Sequence, residues 1–177
     1  VYFMRHASAG EPKKDAAKDA LRGLDAIGVE QAVRIGAALA AWGPRLEAIV
    51  SSPLKRCTQT AGLVANEIGY ERKIETDAAL RPDGTYAAFQ QLLRKHAGRE
   101  AILVVGHNPI LSECLGKLVS DPLRPARIPL RRGALAKVDF KRGAGALHWL
   151  LPPKLLLKSA AASGPARTAT ASKPARR

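Results

Sequence analysis

The chain has 177 residues, of which 46% are hydrophobic, and this is enough for one domain with a substantial buried core. No run of about 18 apolar residues occurs in it, so we expect no membrane-spanning segment. An excess of 29 basic over 15 acidic residues gives a net charge of +14, which favours an anionic partner.

The positive charge is unevenly distributed along the chain. Six basic residues and no acidic residue follow position 153, so +8 of the net charge of +14 belongs to the remainder. A net charge of +8 over residues 1–153 is consistent with a phosphorylated ligand or with a generally basic proteome, and neither interpretation requires nucleic acid. The final stretch holds small residues, Pro, Thr and basic residues, which is typical of disorder. We therefore expect a domain over residues 1–157 and a disordered basic tail over 158–177, which is a candidate for binding polyanions.

The cysteine content and the N-terminal sequence bear on cellular location. The two cysteines, Cys57 and Cys114, lack the spacing of metal ligands and favour reduced thiols in a cytosolic protein over a disulfide framework. The apolar run at the N-terminus is too short for a secretory signal. We therefore expect a cytoplasmic protein with no metal site and no cofactor.

The first predicted elements are a strand, a loop and a helix. The strand covers residues 1–4 and precedes an Arg-His dipeptide. Polar residues 11–24 predict a loop that lies over the end of this strand. The helix that follows extends from an N-cap at Asp25 to a stop at residues 43–44. Its predicted buried face has apolar residues at three- and four-residue intervals, namely Ile27, Ala32, Ile35, Leu39 and Trp42.

A second strand and helix are predicted next. Residues 46–50 form an apolar run that ends in Ser51-Ser52-Pro53. Serine is a favoured N-cap and proline a favoured first helical residue, so we expect a helix from this point to Gly69. Weaker signals follow, namely a strand over 73–76, a loop over 80–85 and a helix over 86–96.

The strongest strand signal is the continuously apolar run over residues 101–105, which is typical of a central parallel strand buried on both faces. After it, Asn108 is a candidate N-cap for a helix over 109–119. Residues 135–140 and 146–151 predict a hairpin. The alternation of strands and helices predicts an α/β fold with three layers, α/β/α, a mostly parallel central sheet and a C-terminal antiparallel hairpin.

Three of the predicted strands end in chemically useful side chains. Arg5 and His6 follow the first strand, Arg56 lies in the helical turn after the second, and His107 follows the central strand. Because the carboxyl ends of parallel strands share one edge of a sheet, we expect these side chains to converge. One strand ending in surface polar residues would be ordinary, whereas two His and two Arg at one edge point to a site.

This set of side chains favours phosphoryl chemistry. No Asp, Glu or Cys cluster accompanies the histidines, so a zinc site is poorly supported. The chain also lacks a Gly-rich phosphate loop with Lys and a Ser nucleophile elbow. Arginine forks suit phosphate oxygens, and a neutral His can attack phosphorus to give a phosphohistidine that water hydrolyses. We therefore expect Arg5, Arg56 and His107 to clamp a phosphoryl group and His6 to attack it.

The motifs resemble those of the histidine phosphatase superfamily. Three segments carry the resemblance, namely Arg5-His6-Ala7, Ser52-Pro53 with Arg56 and Gln59-Thr60, and Gly106-His107. The first differs from the Arg-His-Gly signature of the family only at Ala7. The resemblance covers residues 1–155. It is greatest for the small SixA-type phosphohistidine phosphatases, because of the short length, the stretch from Arg22 to Gly28, the Gly-His-Asn-Pro form and the short terminal hairpin.

The resemblance implies a phosphoglycerate-mutase-like fold and a role for each matched residue. By this resemblance, His6 is the phosphorylated nucleophile. The phosphate pocket that it implies consists of Arg5, Arg56 and His107. Three further residues are candidates for substrate binding, namely Arg22, Asn108 and Asp83.

The chain departs from the larger members of the family in the loop after the third strand, where they carry an acidic general acid. Here that loop offers only Asp83, which a turn before Gly84 explains equally well. An alkyl phosphate ester needs its leaving oxygen protonated, whereas a protonated phosphohistidine leaves easily, so the site is better matched to phosphohistidine unless a water molecule or His107 supplies the proton. Short loops also suit a protein substrate, and the lack of long covering insertions disfavours mutase activity.

Three functions therefore remain open from the sequence. The first is a phosphohistidine phosphatase that acts on a His-phosphorylated protein. The second is a small-molecule phosphomonoester phosphatase on the same scaffold, and the third is a non-catalytic phosphate-binding module. Each of them implies a phosphorylated partner, no membrane contact and no requirement for nucleic acid.

Overall fold

The computed structural model describes residues 1–121, 123–141 and 144–155. Its strands are β1 (Tyr2–Arg5), β2 (Ala48–Ser51), β3 (Glu75–Thr76), β4 (Ile102–Gly106), β5 (Leu135–Lys141) and β6 (Ala144–Leu151). Its helices are α1 (Ala16–Ala20), α2 (Ala26–Trp42), α3 (Lys55–Glu67), α4 (Tyr86–Lys95) and α5 (Ile110–Val119), with a 3₁₀-helix over Ala78–Leu80. The expected domain end at residue 157 and the expected disorder of residues 158–177 lie outside the described residues.

The strands form one six-stranded sheet in the order β3-β2-β4-β1-β5-β6. β1, β2, β3 and β4 pair in parallel, whereas β5 runs antiparallel to β1 and β6 antiparallel to β5. The predicted mostly parallel sheet and its antiparallel hairpin are therefore confirmed. β3 is shorter than predicted, and both hairpin strands are longer.

Helices cover both faces of the sheet, as predicted for a three-layer α/β/α fold. α2 and α3 pack on one face, against alternate strand residues such as Met4 and Val105. α4 and α5 pack on the other face, against Phe3 and Val104. This alternation divides the apolar core into two clusters, with β4 buried along its whole length between them. No described helix combines the length and hydrophobicity that crossing a membrane requires.

The ends of α2 follow the sequence prediction, but part of its buried face does not. The Asp25 side chain accepts a hydrogen bond from the Gly28 amide at 2.7 Å, and Gly43 ends the helix in the left-handed conformation with φ of 66°. Ile27 and Trp42, predicted to face the core, are 60% and 50% exposed. The buried residues of α2 include Gly28 and Gly36 instead, and Trp42 packs edge-on against Trp149 of β6 with the ring centroids 5.3 Å apart.

The predicted loop over residues 11–24 contains a short helix, so this part of the prediction is wrong. The Asp15 side chain accepts a hydrogen bond from the Lys18 amide at 2.9 Å and caps α1. α1 buries none of its residues, so it has no apolar periodicity that the sequence could have revealed.

Two helices begin differently from the prediction. α3 begins at Lys55 without a side-chain cap, because the Ser52 hydroxyl lies 3.0 Å from the ring of His107 instead. α5 begins without a cap from Asn108, because the side-chain amide of that residue donates to the Leu130 carbonyl oxygen at 2.9 Å. Both predicted caps therefore bond to other parts of the fold.

Gly28 lies where α2 meets the segment after β1, and a methyl group on it would overlap the Ser8 carbonyl oxygen. Because that neighbour is backbone, Gly28→Ala must displace the segment that follows His6. We expect it to lower the free energy of unfolding by about 1–3 kcal/mol. Urea unfolding measures this loss.

Gly62→Ala is the matched control. Gly62 lies inside α3 with open space around it, and alanine is about 0.5–1 kcal/mol better than glycine inside a helix. We therefore expect this variant to unfold at a higher urea concentration than the parent chain. Equal stability of the two variants would contradict the close packing at Gly28.

Candidate active site

The pairing of β1 with β4 places the two predicted histidines side by side. Arg5 lies opposite Gly106 in the parallel register, so the next residue of each strand, His6 or His107, emerges at the same carboxyl edge. The His6 amide donates to the Gly106 carbonyl oxygen at 3.0 Å. The centroids of the two imidazole rings are 5.0 Å apart. Arg56 joins them from the first turn of α3, after the adjacent strand β2.

His6 is buried and held in one tautomer. Its ring nitrogen Nδ1 lies 2.7 Å from the Ala7 carbonyl oxygen, which can only accept, so Nδ1 carries the proton and Nε2 carries the lone pair. Burial lowers the pKa of His6 to about 4, and the charges of Arg56 and Arg5 add to the effect. The ring is therefore neutral at pH 7, and Nε2 can act as a nucleophile.

His107 is buried more deeply, with 2% of its surface exposed. Its ring nitrogen Nε2 lies 3.0 Å from the Ser52 hydroxyl and 3.2 Å from the Cys57 thiol. Burial lowers the pKa of His107 to about 2, and the adjacent His6 and the arginines contribute to the shift. This second ring is therefore also neutral at pH 7 and acts as a hydrogen-bonding group rather than as a cation.

Two arginines beside the histidines have unused hydrogen-bond donors. Arg5 Nη1 donates to the Leu130 carbonyl oxygen at 3.3 Å, and Arg56 Nη1 donates to the Asp19 carbonyl oxygen at 2.9 Å. In both arginines Nε is buried and has no hydrogen-bond partner among the described residues. A buried donor without an acceptor costs about 1–3 kcal/mol, so an oxyanion at this position would gain from both groups.

Arg22 reaches the site through Asp19, a residue of α1. Arg22 Nε donates to one carboxylate oxygen of Asp19 at 2.7 Å, and Arg56 Nη1 lies 3.1 Å from the other oxygen. The hydrogen bond from Arg22 holds the pKa of the Asp19 carboxyl well below its usual range. Asp19 therefore pairs with two guanidinium groups, those of Arg22 and Arg56. Because Arg5 adds a third positive charge, the local charge remains positive.

Asp19 is a residue that the sequence analysis missed, because α1 was predicted to be part of a loop. A signal for it does exist in the sequence. Asp15 is a good N-cap before two alanines, and Asp19 stands three residues before Arg22, a spacing that permits an ion pair on a helix. The pairing of that carboxylate with Arg56, 37 residues away, is visible only in the structure.

The structure places the two remaining predicted site residues differently. The Asn108 side chain donates to the Leu130 carbonyl oxygen at 2.9 Å and accepts from the Ser112 hydroxyl at 2.9 Å, so it supports the segment that also holds Arg5. The Asp83 side chain is 74% exposed and pairs with Arg81 at 3.1 Å. Within the described part of the chain, Asp83 makes no hydrogen bond to either histidine.

Thr60 and Gln59, which follow Arg56 on α3, connect the segments around the site by hydrogen bonds. The Thr60 hydroxyl accepts from the Ala7 amide at 3.2 Å and donates to the Arg56 carbonyl oxygen at 2.7 Å. The Gln59 side-chain oxygen accepts from the Leu24 amide at 2.8 Å. α3 thus positions the backbone after His6 as well as its own arginine. Gln59 and Thr60 both belong to the sequence motif around Arg56, but the sequence does not show which groups their side chains hydrogen-bond.

Exposed Arg132 is a further charge near the site that the sequence analysis did not select. Burial is the main cause of the lowered pKa of His6 and of Arg5, and the nearby charge of Arg132 lowers both further. Arg132 belongs to an arginine-rich segment that the sequence marks only as irregular. Its backbone neighbour Gly133 donates to the Arg5 and His6 carbonyl oxygens at 3.2 and 3.1 Å, which holds the segment against the end of β1.

The chain is similar to proteins of a known family. The model of the histidine phosphatase superfamily (branch 1) matches residues 1–82. An uncharacterized protein of Picosynechococcus sp. is 36% identical over 116 residues, which cover 64% of this chain and 68% of that protein. Phosphohistidine phosphatase SixA of Escherichia coli is 28% identical over 159 residues, which cover 86% of this chain and 93% of that protein.

The fold is shared with a solved structure of the protein histidine phosphatase SixA complexed with tungstate. The two have a TM-score of 0.77 at 24% sequence identity, and the match covers 88% of this chain and 98% of that chain. The predicted phosphoglycerate-mutase-like architecture is therefore confirmed. Together with the family match and the relatives, it shows that the chain belongs to the histidine phosphatase superfamily, in which it is SixA-like, and that it is a phosphatase.

Proposed function

We propose that this phosphatase hydrolyses phosphohistidine on a protein and that His6 is its nucleophile. One observation carries the proposal. A buried, neutral imidazole with a free Nε2 stands beside two arginines, Arg5 and Arg56, whose buried Nε donors lack acceptors among the described residues. The similarity to phosphohistidine phosphatase SixA of Escherichia coli supports the substrate class.

The proposed phosphate pocket consists of Arg5, Arg56, Arg22 and His107. Its three guanidinium groups are offset by one carboxylate, that of Asp19, so the pocket remains positive and suits a phosphoryl dianion. His107 adds a neutral N–H group rather than a further charge. Fixed donors of this kind stabilise charge on the transferring phosphoryl oxygens without needing to reorganise.

In the first step of the proposed reaction, the lone pair of His6 Nε2 attacks phosphorus, and the bond from phosphorus to the substrate nitrogen breaks. The departing imidazole leaves with the electron pair of that bond and is neutral if its ring was protonated beforehand. His6 is now a phosphohistidine cation, whose Nδ1–H remains bonded to the Ala7 carbonyl oxygen. In the second step, water attacks phosphorus and releases phosphate and neutral His6.

Carboxyl groups near the site are poorly suited to act as a general acid. Asp19 pairs with Arg22 and Arg56, and the hydrogen bond from Arg22 holds its pKa well below the usual range. The hydrogen bond from Arg81 likewise lowers the pKa of exposed Asp83. Both groups are ionised at pH 7 and have no proton to donate. A substrate whose leaving group needs little help from an acid, such as protonated phosphohistidine, fits this arrangement best.

The substrate proposal predicts a preference between two classes of phosphate. We expect the metal-free enzyme to release phosphate from a phosphohistidine protein with a kcat/KM about 100-fold or more above that for simple phosphate monoesters, which require acid assistance worth about 10²–10⁴-fold. Phosphate release measures both reactions. Preference for monoesters would instead favour a small-molecule phosphatase, and binding without turnover of either would favour a phosphate-binding module.

His6→Ala is the companion variant in that experiment. We expect it to abolish turnover while the fold remains, because its imidazole is the only proposed nucleophile. His148→Ala is the control, since His148 lies on β6 and pairs with Asp139 at 3.0 Å, away from the site. Substantial turnover by His6→Ala would exclude His6 as the nucleophile.

The buried state of His6 predicts its titration behaviour. Its pKa of about 4 lies below the ordinary value of 6.5, so the neutral nucleophile persists from pH 7 down to about pH 4. Because the unfolded ring binds a proton at higher pH than the folded ring does, stability also falls as the pH drops from 6.5 towards 4. Imidazole NMR of the ligand-free enzyme should show a midpoint near pH 4. A midpoint near 6.5 would contradict the burial of His6.

Arg56 should be essential for handling phosphate. It is 4% exposed, its Nε has no acceptor among the described residues, and its charge lies near both histidines, so Arg56→Ala removes a buried positive charge from the site. We expect kcat/KM to fall about 10²–10³-fold, as when one donor to a transition-state oxyanion is removed. Arg34→Ala is the control, because Arg34 pairs with Glu30 of the same helix, α2, at 2.8 Å. Equal kinetics of the two variants would remove Arg56 from the pocket.

A further inference from the structure

A small polar cluster lies behind His107, and the proposed reaction leaves its role open. Ser52 and Cys57 are both fully buried, with 0% of their surface exposed. The Ser52 hydroxyl is 3.0 Å and the Cys57 thiol 3.2 Å from the same ring nitrogen, Nε2 of His107. They come from different elements, since Ser52 follows β2 and Cys57 lies in the first turn of α3. Two proton-bearing groups thus converge on one nitrogen.

The hydrogen atoms available in this cluster decide which way the bonds run. A serine hydroxyl carries one hydrogen and a thiol one weakly acidic hydrogen, whereas a neutral imidazole has one N–H and one good acceptor nitrogen. Burial raises the pKa of the Cys57 thiol to about 12, so the thiol keeps its hydrogen at pH 7. The Ser52 oxygen already accepts from the Leu54 amide at 3.4 Å, which leaves its hydrogen free to donate. The Cys57 sulfur also lies within hydrogen-bonding reach of this hydroxyl, but sulfur is a weaker acceptor than the imidazole nitrogen Nε2.

We propose that Ser52 and Cys57 are positioning residues that hold His107 in the Nδ1–H tautomer by donating to its Nε2. The single N–H of the neutral ring then lies on the side away from the cluster. That nitrogen has no hydrogen-bond partner among the described residues. The inference rests on the proposed function in one respect, which is that a phosphoryl oxygen is the acceptor for Nδ1–H.

The opposite tautomer would make poor use of the same groups. With the proton on Nε2, His107 would donate into a cluster that already holds two donors, and neither of their hydrogens would keep this nitrogen as an acceptor. The lone pair of Nδ1 would then be the group left for the pocket, where it would repel a phosphoryl oxygen. A buried donor without an acceptor is costly, so both sides of the ring favour Nδ1–H.

The tautomer can be read directly by NMR in the protein as it is. Long-range correlation spectra of the nitrogen-15-labelled imidazoles distinguish a protonated from an unprotonated ring nitrogen. The chain has four histidines, so the loss of one pattern in His107→Asn assigns the ring. We expect Nδ1 of His107 to be protonated and Nε2 to be unprotonated at pH 7. A protonated Nε2 would overturn the proposal, whatever the behaviour of any variant.

Variants of the cluster test whether it controls the ring. Ser52→Ala and Cys57→Ala should each reduce the population of the Nδ1–H tautomer and lower kcat/KM about 3- to 10-fold, as expected for the loss of one buried hydrogen bond. Cys57→Ser retains a donor and should restore both quantities at least in part. Cys114→Ala is the matched control, because Cys114 is an equally buried thiol on α5 without a histidine partner among the described residues.

Two outcomes separate this inference from the proposed function. If the parent enzyme turns over neither phosphohistidine nor phosphate monoesters, the proposed function fails, while the NMR spectrum still tests the tautomer. If turnover is high but Ser52→Ala, Cys57→Ala and Cys114→Ala all leave the tautomer unchanged, the positioning role of the cluster fails alone. Addition of inorganic phosphate to the parent enzyme should shift the Nδ1 resonance of His107, and an unshifted resonance would exclude it as the donor to the anion.

Discussion

The parallel pairing of β1 with β4 is the constraint on which the site depends. Register places Arg5 opposite Gly106, and the next residue on each strand is a histidine. A shift of one residue would turn one ring to the opposite face of the sheet and separate the pair. Both strands are buried on two faces, so the apolar core that stabilises the sheet also fixes the 5.0 Å separation of the rings.

Burial at this edge has opposite effects on the two kinds of site residue. It keeps both imidazoles neutral, because a buried charge beside arginines is unfavourable. The guanidinium groups stay charged, so they need partners, and the fold supplies carbonyl oxygens and one carboxylate, that of Asp19 on α1. This helix buries none of its own residues and contributes little to the core, so its contribution lies in this ion pairing. The site therefore combines neutral nitrogen atoms with fixed positive charge.

The sequence predicted the parts of this protein that follow from periodicity and from strand order. Apolar runs located the strands, and their parallel arrangement implied that residues far apart in sequence would meet at one edge. Three features could not be found in this way. α1 has no buried face, half-exposed Trp42 packs against Trp149 of β6, and Ser52 contacts a histidine 55 residues away instead of capping a helix. Each is decided by a tertiary contact that competes with a local preference.

The low pKa of His6 has consequences for both steps of the proposed reaction. Because burial is the main cause of the low pKa, the lone pair of Nε2 is available at pH 7 for attack on phosphorus. In the proposed reaction the leaving group is itself an imidazole, so one nitrogen–phosphorus bond replaces another. The surroundings that disfavour positive charge on the ring also favour the departure of neutral His6 when water attacks its phosphoryl group. A buried, neutral histidine among arginines thus fits both steps of the proposed reaction.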